Sequence, residues 1–123
     1  MSDCLFCKII KGEIPSYTIY EDEYVKCFLD INPNCKAHTL VIPKKHFLDN
    51  NDIDNEYLIK IHEASKKVID IISKTYKVTG YRLVQNNGVL QEVKHYHLHV
   101  LPSYEDDINE SVEEAYNKLK KNC

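Results

Sequence analysis

The 123-residue chain has no tryptophan, three glycines, four prolines, and no run of aliphatic residues longer than three, Leu40 to Ile42 being one such run. Each scarcity removes a class of answer. Crossing a bilayer takes about 18 or more consecutive apolar residues, so the sequence carries no membrane segment and no membrane partner is expected. No repeat, low-complexity tract or Pro/Gly/Ser-rich linker divides it, and a length slightly under the ~150 residues of a typical domain predicts one domain over residues 1–123. Positive charge is not in excess: 16 Lys and Arg against 19 Asp and Glu give a net charge of −3, with the basic residues spread along the chain. The basic field that holds nucleic acid is missing, so no nucleic-acid partner is expected. The opening Met1-Ser2-Asp3-Cys4 shows no charged-then-apolar secretion signal, which predicts a cytoplasmic, reducing location. Five cysteines, an odd number at irregular spacing, argue against a disulfide framework and for thiols or metal ligands.

The composition, 43% hydrophobic and 28% charged, is that of a globular chain with one real core and excludes disorder. Leu5 to Lys11 reads as one or two helical turns stopped before Gly12 and Pro15. Tyr17–Tyr20 and Tyr24–Leu29 read as strands joined by a turn at Glu21-Asp22-Glu23. Asp30 to Lys36, with Asn32-Pro33-Asn34, reads as a loop, and Ala37–Ile42 as a third strand ended by Pro43. From about Asp54 to Tyr76, apolar residues such as Leu58, Ile61, Ala64, Val68 and Ile72 recur every three or four positions, one face of a long amphipathic helix. Gly80 opens a strand at Tyr81–Gln85, closed by the turn residues Asn86-Asn87-Gly88. His95–Leu101 is a fifth strand stopped by Pro102, and Ser111-Val112-Glu113-Glu114 starts a terminal helix over about 110–122 by its capping-box pattern. These elements predict an α+β fold with a mainly antiparallel five-stranded sheet, one long helix and short terminal helices.

His95, His97 and His99 follow the period of two that a strand imposes, so their imidazoles share one face while Tyr96, Leu98 and Val100 face an apolar core. Three of six histidines on one short run form a cluster of neutral bases suited to metal ligation or to handling an anionic phosphate.

His95-Tyr96-His97-Leu98-His99-Val100-Leu101 resembles the signature of the histidine-triad (HIT) family of nucleotide hydrolases and transferases. Phe28-Leu29-Asp30-Ile31-Asn32-Pro33 and His38-Thr39-Leu40-Val41-Ile42-Pro43-Lys44-Lys45-His46 resemble the nucleotide-binding strand pair of its Hint-like branch, and Asn86-Asn87-Gly88 its phosphate-side turn. The resemblance covers about residues 4–102. It implies a HIT-like fold and a homodimer joined through a strand and the long helix. It implies hydrolysis of a purine nucleoside 5′-phosphoramidate or related adenylylated compound, with His97 attacking the α-phosphorus to form a covalent nucleotidyl-histidine. By the same resemblance His99 contacts the phosphate and leaving group, Asn86 donates to the phosphate, Asp30 accepts from the ribose hydroxyls, Ile31 lies against the base, and Gln91, Glu92 and Val93 run beside the nucleotide. Where some members carry Ser beside the phosphate, this chain has Glu92. A carboxylate there repels a phosphate, so Glu92 turns away or faces a cationic leaving group. His38 reads equally as a support of the site or as a satisfied core histidine, and Lys44 and Lys45 as a solvated loop.

Cys4 and Cys7, two residues apart, have the spacing of a metal-binding or redox pair. The strand and βαβ context of a thioredoxin-like pair are absent, and tetrahedral zinc needs two further ligands. The resemblance supplies them as His46 and His95, a structural zinc site bracing the strand that carries His97. Three other functions compete with the phosphoramidase: hydrolysis of dinucleoside polyphosphates, as in the Fhit-like branch, a non-catalytic nucleotide- or zinc-binding module, and a redox protein using Cys4 and Cys7.

Overall fold

The computed structural model describes residues 4–106 and 108–123; the opening Met1 to Asp3, on which the absence of a secretion signal is read, lies outside the described residues. Five strands, β1 (Thr18–Glu21), β2 (Val25–Leu29), β3 (Thr39–Pro43), β4 (Val78–Gln85) and β5 (Leu98–Tyr104), form one antiparallel sheet in the order β1-β2-β3-β5-β4. Among the described residues three α-helices accompany it: α1 (Leu5–Ile10), α2 (Asn55–Thr75) and α3 (Val112–Leu119). The expected α+β architecture is the one observed.

Alternation along β2 and β3 divides the core in two. Val25, Cys27, Leu29 and Val41 point to α2 and join Ile61, Val68 and Ile72 in the main core, whereas Phe28, Leu40 and Ile42 point the other way and pack on Phe6 and Ile9 of α1. Asp54 caps α2 by accepting from the Tyr57 N–H at 2.9 Å. The capping box at Ser111 and Glu114 starts α3, whose Ala115 and Leu119 are buried in the main core. No helix among the described residues is long and apolar enough to cross a membrane.

The sequence boundaries need four corrections around the site. The fifth strand begins at Leu98 rather than His95, because the segment before it leaves the ladder: the Tyr96 N–H donates to the Phe47 carbonyl at 2.7 Å. It continues through Pro102 to Tyr104. Beyond Val100 it pairs with β4 alone, so the missing proline N–H falls on an open edge. The third strand starts at Thr39, since Ala37 sits at φ 62°, outside any strand conformation, and it runs through Pro43.

Candidate active site

Local geometry at the N-terminus brings the first cluster together. Cys4 is the N-cap residue of α1, its Sγ accepting from the Cys7 N–H at 3.3 Å, so both sulfurs lie at one end of the helix. His46, from the segment after β3, and His95, just ahead of β5, complete the group. Cys4 Sγ lies 3.5 Å from His46 Nδ1 and 3.4 Å from His95 Nδ1. Cys7 Sγ lies 3.3 and 3.6 Å from the same two nitrogens, which are 3.1 Å apart. A tetrahedral ion with bonds of ~2.3 Å to sulfur and ~2.05 Å to nitrogen has S–N edges of about 3.6 Å and an N–N edge of about 3.3 Å, so the four donors fit a metal. The tautomer agrees: His95 Nε2–H donates to the Pro43 carbonyl at 2.9 Å, which turns the Nδ1 lone pair to the cluster. Burial pushes His95 down to about 4, leaving it neutral, and burial next to Cys4 pushes the Cys7 thiol up to about 11. A cation offsets that cost by taking both sulfurs as thiolates. Two thiolates and two imidazoles form a donor set that suits zinc.

His97 is buried, yet it lines two cavities at the surface. Its Nδ1–H donates to the His95 carbonyl at 2.8 Å, which leaves Nε2 as the nitrogen with the free lone pair. Burial holds its pKa below the ordinary histidine value, so it is a free base at neutral pH. The Phe6 ring stands edge-on to it with centroids 5.1 Å apart and fixes its plane from α1.

His99 is set by a chain of hydrogen bonds. The Asn34 N–H donates to His38 Nδ1 at 3.1 Å, so His38 carries its proton on Nε2 and donates it to His99 Nδ1 at 2.9 Å. Neutral His99 therefore presents Nε2–H as a donor. Burial depresses both rings, His99 to about 4. Asp30, His38 and His99 also lie close enough to suggest a metal, but the proton on His38 Nε2 occupies the lone pair such an ion would need.

Sequence-predicted residues converge here with one exception. Asp30 and Ile31 line the apolar cavity with Phe6, Phe28, Val93 and His97, and Asn86 lines the smaller cavity with Asn34, His97 and His99. Asp30 Oδ1 accepts from the Asn32 N–H at 2.9 Å, which leaves Oδ2 3.7 Å from His38 Nε2. Glu92 lines both cavities. Gln91 is instead buried behind them, its amide donating to the Leu48 carbonyl at 2.7 Å. Lys44 pairs with Glu21 at 2.7 Å and Lys45 lies over the Phe47 ring, so neither enters the cavities. Sequence reasoning missed Asn34 and Phe6. The Asn-Pro-Asn loop and the apolar α1 face were visible, but their contacts span distant segments.

The HIT domain model matches residues 11–106. An uncharacterised HIT-like protein of Methanocaldococcus jannaschii is 47% identical over 106 residues, covering 85% of this chain and 81% of the relative. An adenosine 5′-monophosphoramidase of Candida albicans is 40% identical over 111 residues, 85% of this chain and 73% of the relative. Among solved structures, a Zn-bound histidine triad family protein from Mycobacterium smegmatis matches with TM-score 0.89 at 32% identity, over 98% of this chain and 93% of that one.

Proposed function

The chain belongs to the HIT domain family and is a hydrolase of that family, and we propose that it cleaves nucleoside 5′-phosphoramidates or related adenylylated compounds through a covalent nucleotidyl-histidine on His97. One observation carries this reading: the 2.8 Å bond from His97 Nδ1–H to the His95 carbonyl, which fixes a neutral imidazole with Nε2 free on a side chain lining the cavities. The relatives named adenosine 5′-monophosphoramidase support the choice of bond.

In this reading a purine base lies in the apolar cavity against Ile31, Phe28 and Val93, and Asp30 Oδ2 accepts from a ribose hydroxyl. Asn86 donates to a phosphate oxygen, where charge develops. His97 Nε2 bonds to the α-phosphorus as the P–N bond breaks; the departing nitrogen keeps the electron pair and takes a proton from solvent, while His99 Nε2–H donates a hydrogen bond to the phosphate and to that nitrogen. Water then attacks the phosphorus, the bond to His97 Nε2 breaks with its electron pair returning to the ring, and the water's proton passes to solvent. One difficult displacement thus becomes two easier ones. Zn²⁺ held by Cys4, Cys7, His46 and His95 supplies a structural cross-link between α1, the segment after β3 and the start of β5. Both cysteines must be thiolates for this, which favours a reducing, cytoplasmic location. The open edge of the sheet at β4, with exposed Tyr81 and Leu83, supports a homodimer closed over that strand.

Steady-state hydrolysis of an adenosine 5′-phosphoramidate, with diadenosine polyphosphate in parallel, tests the assignment. Faster turnover of the phosphoramidate is expected. Faster turnover of the dinucleotide, or nucleotide binding with no turnover of either, overturns it.

A further inference from the structure

Sites that bind phosphate usually surround it with lysine and arginine, and here the two cavities beside His97 are lined by neither. The apolar one carries two carboxylates, Asp30 and Glu92. On the phosphate side Glu92 is the one carboxylate among the lining side chains, with no lysine or arginine beside it. Its carboxylate is exposed at the rim and has no ion-pair partner among the described residues. Lys94, which shares the outermost cavity with it, spends its ammonium on the Gly88 and Gln91 carbonyls at 2.6 and 3.3 Å. Arg82 lines the next cavity, on the far side of Asn34 and Leu101.

An α-phosphate bound here is met by dipoles, the Asn86 amide and His99 Nε2–H, and carries one negative charge. Whatever is attached beyond it leaves past the rim, where the Glu92 carboxylate lines both cavities while the Lys94 ammonium is turned onto the Gly88 and Gln91 carbonyls and lines neither. We infer that Glu92 makes this enzyme select leaving groups bearing positive charge over neutral ones, and neutral over anionic ones. The inference rests on the phosphoramidase reading and adds to it a rule of substrate charge: amines carrying a second ammonium are favoured, and further phosphates or a carboxylate are repelled.

The test is a series of three adenosine 5′-phosphoramidates whose departing alkylamines are alike in length and end in an ammonium, a hydroxyl or a carboxylate. Wild-type kcat/KM should fall in that order by about fivefold per step, the factor one charge contact of ~4 Å gives in a water-filled mouth. The order should flatten in about 1 M salt, where the screening length is ~3 Å, flatten in Glu92→Gln and invert in Glu92→Lys. Non-cleavable analogues with carbon in place of the bridging nitrogen, titrated for Kd, give the same ranking independently of chemistry. Turnover of all three without a charge order, or an order kept in Glu92→Gln, overturns the inference while leaving the hydrolase reading intact. A charge order in Kd with no turnover of the cleavable series leaves a charge-selective binding site without a leaving group, which overturns the phosphoramidase reading and the inference with it.

Discussion

His38 donates from Nε2 to His99 Nδ1 across 2.9 Å, although 61 residues separate them in the chain. They meet because β3 and β5 are neighbours in the sheet, and the Asn34 N–H on His38 Nδ1 decides which ring holds the shared proton. His38 thus acts through His99, as a positioning residue. Replacing it with alanine frees the His99 tautomer and should lower kcat by roughly 10- to 100-fold, with KM much less affected. Gln at 38 keeps a side-chain N–H donor and should recover part of the loss. Steady-state kinetics of both variants read this out; a KM effect with kcat intact would contradict the relay.

Acid should weaken the fold through the same pair. Burial holds His99 down to about 4 and His38 below the usual value of 6.5, whereas both regain ~6.5 in the unfolded chain. Between those pH values the unfolded state binds more protons. The stabilisation is therefore complete above about pH 6.5 and is lost progressively as pH falls toward about 4. Denaturant midpoints measured across that window should fall steadily. A flat profile would show that the two rings take up protons in the folded protein as readily as in the unfolded chain.

Metal removal should cost stability rather than chemistry. A metal on the four donors would tie the end of α1 to the segments holding His46 and His95, so Cys4→Ser or chelation should lower stability by about 2–4 kcal/mol. One zinc per chain by elemental analysis of protein purified without chelator is expected, with loss of about one equivalent in Cys4→Ser. Full metal content in that variant would move the site elsewhere.

Ala37 lies at φ 62° between two residues that need opposite directions. Lys36 runs back into a slot between the Tyr76 and Tyr104 rings, 4.7 and 4.5 Å from their centroids, while His38 points to His99. A left-handed alanine costs roughly 1–2 kcal/mol. Ala37→Gly should recover about 1 kcal/mol and raise Tm by about 3–5 °C, and Ala37→Val should lower it. A lower Tm in Ala37→Gly would mean that the turn is held without strain.

Much of this arrangement was legible in the sequence where chemistry and spacing coincide. His97 and His99 at a period of two do line the same cavity, and Tyr96, Leu98 and Val100 do enter the main core. The Cys4, Cys7, His46 and His95 cluster was legible only through the family resemblance, since nothing in the spacing of those residues shows that the chain ends of α1, β3 and β5 meet. The start of β5 was misread because alternation continues through His95 and Tyr96 while the backbone turns to Phe47. Pro102 misled because a proline stops a central strand but not one that has become an edge. Gln91 sits within a run that otherwise lines the site, yet its amide satisfies the Leu48 carbonyl, a contact 43 residues away that no local pattern announces.

The central claim is that His97 Nε2 takes the nucleotide covalently. Rapid quenching of the enzyme during turnover of an adenosine 5′-phosphoramidate, followed by peptide mass spectrometry under conditions that preserve phosphohistidine, tests it most directly. An adenylyl group on the peptide at His97, absent together with all turnover in His97→Ala, is the predicted result. Turnover that survives in His97→Ala, or an adenylyl group on another residue, would contradict it.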